Sequence, residues 1–167
     1  MKIGIIEDNP MYAELLRHHL TQHERFEIDI YHDAESFMKD RKDHDLVISD
    51  YHLNNADDKD HLNGSDVIQW LKNKDSKALV IALSAQKEVK TAIELMKLGI
   101  YDYLLKDDNT LSQLSADVLA IENKLSLDIS KKQYFSNLKK DKNQLTLWLF
   151  GLATTVAVAF GVFWLGG

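Results

Sequence analysis

Short apolar runs, each ending in polar or charged residues and followed by a longer stretch with helical spacing, recur five times in the first 126 residues. Lys2 to Ile6 is the first such run, and Glu7 and Asp8 follow it at once. Asn9 and Pro10 then read as a helix N-cap and first helical residue, because asparagine accepts from orphan amides and proline has no N–H to leave unpaired. Met11, Leu15, Leu16 and Leu20 are the expected buried stripe of that helix. Phe26 to Tyr31 alternates as a second strand nearer a sheet edge, and Asp33 is placed to cap a short helix carrying Phe37 and Met38. The third run, Asp45 to Asp50, holds Leu46, Val47 and Ile48 without alternation, the mark of a strand buried on both faces. A polar stretch from Tyr51 to Asn63 follows, then Gly64 and a helix with Val67, Ile68 and Leu71 inward. Ala78 to Leu83 is the fourth strand, ending in Ser84. Its helix carries Val89, Ile93 and Met96 on one side, with Gly99 as its C-terminal stop. Tyr101 to Leu105 is the fifth strand, ending in Lys106. Thr110 is the expected cap of the fifth helix, in which Leu111, Leu114, Val118, Ile121 and Leu125 keep a 3-4-3-4 spacing.

Strict strand-helix alternation predicts an α/β fold, a doubly wound parallel sheet with helices on both faces. In such sheets reactive groups gather beyond the carboxyl ends of the strands. Those ends supply Glu7 and Asp8, Asp50, Ser84, and Lys106, all expected along one edge. A single strand-end aspartate more often only starts the next loop; the other strand ends make Asp50 a candidate. Clustered carboxylates repel, and a hard divalent cation with oxygen ligands, Mg²⁺, relieves the repulsion. Asp50 is then the expected nucleophile toward phosphorus, forming an aspartyl-phosphate, with lysine and hydroxyl as partners for the added oxygens.

Charge sharpens the division of the chain. Its 167 residues carry −6 overall, and five lysines against Asp141 between 131 and 142 give +4, so residues 1–130 carry −10. An acidic domain argues against nucleic acid as a partner. The absence of cysteine excludes disulfides, thiol catalysis and Cys-based zinc sites. The amino-terminal apolar run is too short for a secretory signal.

Over residues 1–126 the pieces IIEDNP, VISD with a following NG, ALSA and YDYLLKD resemble the receiver domain of two-component response regulators. The resemblance implies a flavodoxin-like sheet of order 2-1-3-4-5, with Asp50 as phospho-acceptor. It implies Glu7 and Asp8 as Mg²⁺-binding acids, joined by Asp50 and by the backbone carbonyl of His52. It further implies Ser84 as the hydroxyl that moves toward the phosphoryl group, Lys106 as its counter-charge, and Tyr103 as the aromatic rotor of a switch face. His52 and Gln86, two positions after acceptor and hydroxyl, are the residues expected to tune phosphoryl lifetime. The implied donor is a sensor histidine kinase or phosphotransfer protein, and the implied role is signalling, not catalysis on a substrate. Two departures stand out: Asn54 and Asp107 occupy places where the family usually has proline, and the loop before Asn63 is longer than usual. That loop's Asp57, Asp58, Asp60 and His61 read as a solvated acidic stretch before a second metal site. His18 and His19, adjacent on one helix, project to different faces.

Leu145 to Leu165 carries no charge over 21 residues. As a helix it extends about 31 Å, against about 30 Å of bilayer hydrocarbon. Trp148 and Trp164 near its ends and lysines before it fit a span with its amino-terminal side in the cytoplasm; the rival is a buried core helix. The expected organisation is a receiver over 1–126, a basic helical linker over 127–144, and a single-pass anchor over 145–165 in the inner (cytoplasmic) membrane. Homodimers through the fourth helix, fifth strand and fifth helix, or through Ala153, Ala157 and Gly161 of the span, are compatible with this plan. The expected function is a membrane-anchored response regulator that signals through protein contacts. The alternatives are a phosphate sink or relay intermediate, and an aspartate-nucleophile phosphatase, which needs a second acid where His52 stands.

Overall fold

Five parallel strands form one sheet in the order β2-β1-β3-β4-β5, the arrangement that strict alternation and the resemblance imply. The structure, a computed structural model, describes residues 1–21, 25–40, 42–53, 62–87 and 89–165, with side chains as far as Phe150. The elements are β1 (Lys2–Ile6), α1 (Pro10–Thr21), β2 (Glu27–Tyr31), α2 (Ala34–Lys39), β3 (Leu46–Asp50), α3 (Gly64–Asn73), β4 (Leu79–Ser84), α4 (Val89–Leu98), β5 (Asp102–Leu105) and α5 (Thr110–Leu165). The chain divides into two compact units, Met1–Ala120 and Ile121–Gly167.

Register explains why the strand ends share one edge. Ile6 pairs with Ser49 and Asp50 with Leu83, and Lys106 N donates to Ser84 O at 2.8 Å. β3 is buried at every position, as its unbroken apolar run requires. Its alternate residues serve two cores. Val47, Val80 and Ala82 join Phe37, Val67, Ile68, Leu71 and Leu95 of α2, α3 and α4. Leu46, Ile48, Ile81 and Leu83 point the other way and are fully buried. On α1, His19 Nε2 lies 2.7 Å from Ser115 Oγ and 3.1 Å from Leu111 O, which ties α1 to the start of α5.

Two expected stripes are corrected. α1 buries Ala13, Leu16 and Leu20, whereas Met11 and Leu15 are exposed; the small Ala13 lets the helix approach the sheet, and the larger pair falls on its far side. α4 buries Thr91 and Leu95, while Val89, Ile93 and Met96 line an open groove of about 740 Å³ with Tyr103 and Leu105, between Lys87 and Lys97. Thr110 also differs from expectation. It is the first residue of α5, Asn109 O accepts the first helical bond from Gln113 N at 3.0 Å, and the threonine hydroxyl serves the preceding turn. Gly99 ends α4 at φ +88°, a left-handed conformation suited to glycine.

No helix among the described residues is long and apolar enough to cross a membrane. The span expected over 145–165 falls mostly on residues 151–165, whose side chains lie outside the described ones, as do Asn54, Asp57, Asp58, Asp60 and His61.

Candidate functional site

Three strand ends deliver charge to one place because each is followed by a turn that its own residues hold. After β1, Glu7 N donates to Tyr31 O at 3.0 Å, so the ladder carries Glu7 one step past the strand. Asn9 Oδ1 then accepts from Met11 N and Tyr12 N at 3.0 and 3.2 Å, starting α1 immediately beyond Asp8. After β3, Gly64 N donates to Tyr51 O at 3.1 Å. A Cβ on Gly64 would stand 2.4 Å from the carbonyl oxygen of Asp50, so only glycine lets α3 begin against the acceptor's own backbone. Asn63 fixes that start through a capping box with Asp66. After β5, Thr110 Oγ1 donates to Leu105 O and accepts from Asp107 N, both at 2.6 Å. No cis peptide bond occurs among the described residues, so the proline-free turn after Lys106 is built trans and held by Thr110.

Lys106 is the hub. Its Nζ lies 2.6 Å from Asp50 Oδ2 and 2.7 Å from Glu7 Oε2, and Tyr12 places its ring under the same ammonium at 4.7 Å from the centroid. Glu7 and Asp50 are buried, and Asp8 is half-buried. Burial raises the pKa of Glu7, and the hydrogen bond from Lys106 offsets only part of that rise. For Lys106 burial disfavours the charge, but the bonds to Asp50 and Glu7 outweigh it and hold the pKa above the ordinary lysine value. The second oxygen of Asp50, Oδ1, accepts from the backbone N–H of His52 at 3.1 Å.

Ligand oxygens of Glu7, Asp8 and Asp50 lie within 4.8 Å of one another. Opposite ligands of one octahedral Mg²⁺ stand about 4.2 Å apart, so small side-chain shifts suffice to share an ion. One lysine leaves a net −2 among these acids, a hard all-oxygen set that fits Mg²⁺ better than a softer metal.

Ser84 and Tyr103 form a connected but separate group. Ser84 is buried and its Oγ accepts from Gln86 N at 3.2 Å, while the Tyr103 hydroxyl donates to Gln86 O at 3.0 Å. Gln86 thus links Ser84 at the end of β4 to Tyr103 of β5. Sequence reasoning missed Tyr12 and the turn-holding role of Thr110. The signal for Tyr12 was its place in the first turn of α1, directly beyond a strand-end acid.

A family model described as the response regulator receiver domain matches residues 3–118. The transcriptional regulatory protein CitB of Klebsiella pneumoniae is 32% identical over 105 residues, covering 61% of this chain and 42% of that protein; the chain thus spans less than half the length of this relative. Among solved structures, the signal receiver domain of a putative LuxO repressor from Vibrio parahaemolyticus is similar at TM-score 0.66 and 23% identity, over 76% of this chain and 93% of that one. The response regulator TrrA of Thermotoga maritima, solved with Mg²⁺ and BeF, is similar at TM-score 0.60 and 26% identity, over 72% of this chain and 97% of that one.

Proposed function

Since the chain belongs to the family of response regulator receiver domains, we propose that Asp50 accepts a phosphoryl group from a histidine kinase or phosphotransfer protein and that the chain signals through protein contacts. The observation that carries this reading is the bridge of Lys106 between Asp50 and Glu7, assembled from the ends of three strands. A carboxylate oxygen of Asp50 attacks phosphorus. The P–O bond forms as the donor's P–N bond breaks, and the electron pair returns to the imidazole nitrogen. Lys106 already touches the acceptor and offers its ammonium to the added oxygens. Glu7, Asp8, Asp50 and the His52 carbonyl would hold Mg²⁺, which when bound neutralises phosphoryl charge. TrrA, solved in complex with Mg²⁺ and BeF, supports this assignment.

Ser84, through Gln86, is the hydroxyl placed to report the new charge to Tyr103 and the groove beside α4. Occupancy of that face by partners or by a second copy is how the signal leaves the domain. His52 and Gln86 flank acceptor and hydroxyl and set the phosphoryl lifetime. A phosphatase is disfavoured, because His52 stands where a second acid is needed.

The uncharged stretch Leu145 to Leu165 anchors the chain in the cytoplasmic membrane with the receiver on the cytoplasmic side. The supports are its length, the helix that runs to Leu165, and the lysines that precede it. Intact-mass spectrometry after treatment with acetyl phosphate and Mg²⁺ tests the first half of the reading. One added phosphoryl group is expected on the wild type and none on Asp50→Ala, and equal modification of the two would sink it. Retention in the membrane pellet after carbonate washing tests the second half, and release into the supernatant would defeat it.

A further inference from the structure

Residues 126–150 are exposed throughout, yet their side chains are not scattered evenly around the helix. At about 100° per residue, Tyr134, Leu138, Lys131, Lys142, Phe135, Lys139 and Lys132 fall in sequence within an arc of about 160°. Four of the five lysines and all three large apolar side chains between 131 and 142 thus share one half of the surface. Gln133, Ser136, Asn137, Lys140 and Asp141 take the other half. Tyr134 and Phe135 are both exposed, with ring centroids 5.9 Å apart and edges in contact. A helix that needed lysine only for solubility would gain nothing from this segregation. Lysine stems and aromatic rings together on one face suit a layer that is anionic at its surface and apolar beneath.

We propose that this face lies against the anionic phospholipid headgroups of the membrane into which the following stretch inserts. The inference rests on the anchoring reading above. Charge complementarity favours it: the segment is +4 in a chain that is otherwise −10, and it adjoins the uncharged run beginning at Leu145. Nucleic acid would use the lysines, but it leaves Leu138 and the outward flank of the aromatic pair without a partner. A second copy of the helix would bring lysines face to face.

The proposal carries a geometric consequence. Lys131 precedes Leu145 by fourteen residues, about 21 Å along a straight helix. Screening cuts the surface field within about 8 Å at physiological salt. An upright helix therefore brings Lys139, Lys140 and Lys142 near the lipid, whereas engagement of the whole face requires residues 131–142 to lie along the surface, which α5, continuous through Asn143 and Gln144, permits only by bending there on the membrane.

The test uses the full chain reconstituted in phosphatidylcholine bilayers and in bilayers containing phosphatidylglycerol, with lysine acetylation rates read by mass spectrometry. In the anionic bilayer, labelling of Lys131, Lys132, Lys139 and Lys142 is expected to slow by about fivefold, with Lys140 and Lys77 unchanged and the difference removed by 0.5 M salt. Retention in both bilayers with equal labelling overturns this proposal and leaves the anchor standing, as does protection confined to Lys139, Lys140 and Lys142. Equal protection in both lipids, or protection in detergent by added oligonucleotide or by raised protein concentration, also overturns it. Retention in neither bilayer removes the anchor and this inference together.

Discussion

Two clusters at opposite places in the receiver use the same residue types and come to different ends. At the carboxyl edge, Glu7, Asp8 and Asp50 share one lysine, and that lysine's side chain is only 16% exposed. Beside the edge strand β2, Asp29 meets Lys42 at 2.6 Å and the buried ring of His44 at 3.1 Å, while Asp40 accepts from the Tyr31 hydroxyl at 2.9 Å. The bond from Lys42 holds Asp29 below the usual carboxylate range, and burial raises the Tyr31 phenol. In the second cluster Lys42 serves both acids, at 2.6 Å from Asp29 and 3.6 Å from Asp40, each acid has a further partner in His44 or Tyr31, and Lys42 is more than half exposed to water. Its charges are satisfied, so it closes the sheet edge and asks for nothing further. In the first, acids outnumber the cation in a place where water cannot make up the difference. That deficit is what makes one cluster a site and the other a structural pin.

Removing the two lysines separates these roles. Lys106→Ala leaves Glu7 and Asp50 buried with no counter-charge, which costs about 2–3 kcal/mol, below the full penalty for a deeply buried pair because Lys106 is partly solvated. Thermal melts should show that loss in EDTA and a partial recovery at 10 mM Mg²⁺, together with a much lower yield of phosphorylated protein. Lys42→Ala should melt within error of the wild type and accept phosphoryl groups normally. If Mg²⁺ stabilises the Lys106 variant no more than it does Lys42→Ala, the charge deficit is not what defines the site.

A smaller effect is expected at Gly64, where the contrast depends on backbone alone. Gly64→Ala places a methyl group 2.4 Å from Asp50 O. Something must shift, at a cost of about 1–3 kcal/mol, and the shift falls on the phospho-acceptor. Gly4→Ala, whose Cβ would meet the His44 and Phe37 rings at 3.3 Å, disturbs only the pinned cluster. Phosphorylation rates should therefore fall for the first variant and hold for the second, and equal rates would place the strain elsewhere.

These comparisons also show what was legible in the sequence. Glu7, Asp8, Asp50, Ser84 and Lys106 could be read because each directly follows or ends an apolar strand, and parallel register brings such ends to one edge. The inward faces of α1 and α4 could not be read from the large apolar residues alone. Small or polar Ala13 and Thr91 are buried beside Leu16, Leu20 and Leu95, in places where Met11, Leu15, Val89, Ile93 and Met96 were expected. Tyr12 was illegible for another reason, since it acts on Lys106 from 94 positions away; Thr110 acts locally, but its hydroxyl holds the turn before the helix and does not cap the helix itself.

A third carboxylate pair completes the comparison, because among the described residues no cation is a cause of its shift. Asp117 on α5 faces Asp102 at the start of β5. Burial, the neighbouring charge and a hydrogen bond to Asp102 push its pKa up to about 6. Here the repulsion is relieved by a proton instead of a lysine or a metal. Unfolded aspartate releases its proton near 3.9, so between about pH 4 and 6 the folded chain binds more protons than the unfolded one. Stability therefore falls as pH rises through that window and stays reduced above it. Asp117→Asn keeps an amide donor toward Asp102 without the charge. At pH 7.5 it should stabilise the protein by about 1 kcal/mol, after allowance for the half-exposed position, which corresponds to about 3 °C in Tm. At pH 4, where the wild-type carboxyl is already protonated, the gain should vanish. A gain that persists unchanged at pH 4 would mean that the pair is not sharing a proton, and that acids in this domain are relieved only by cations.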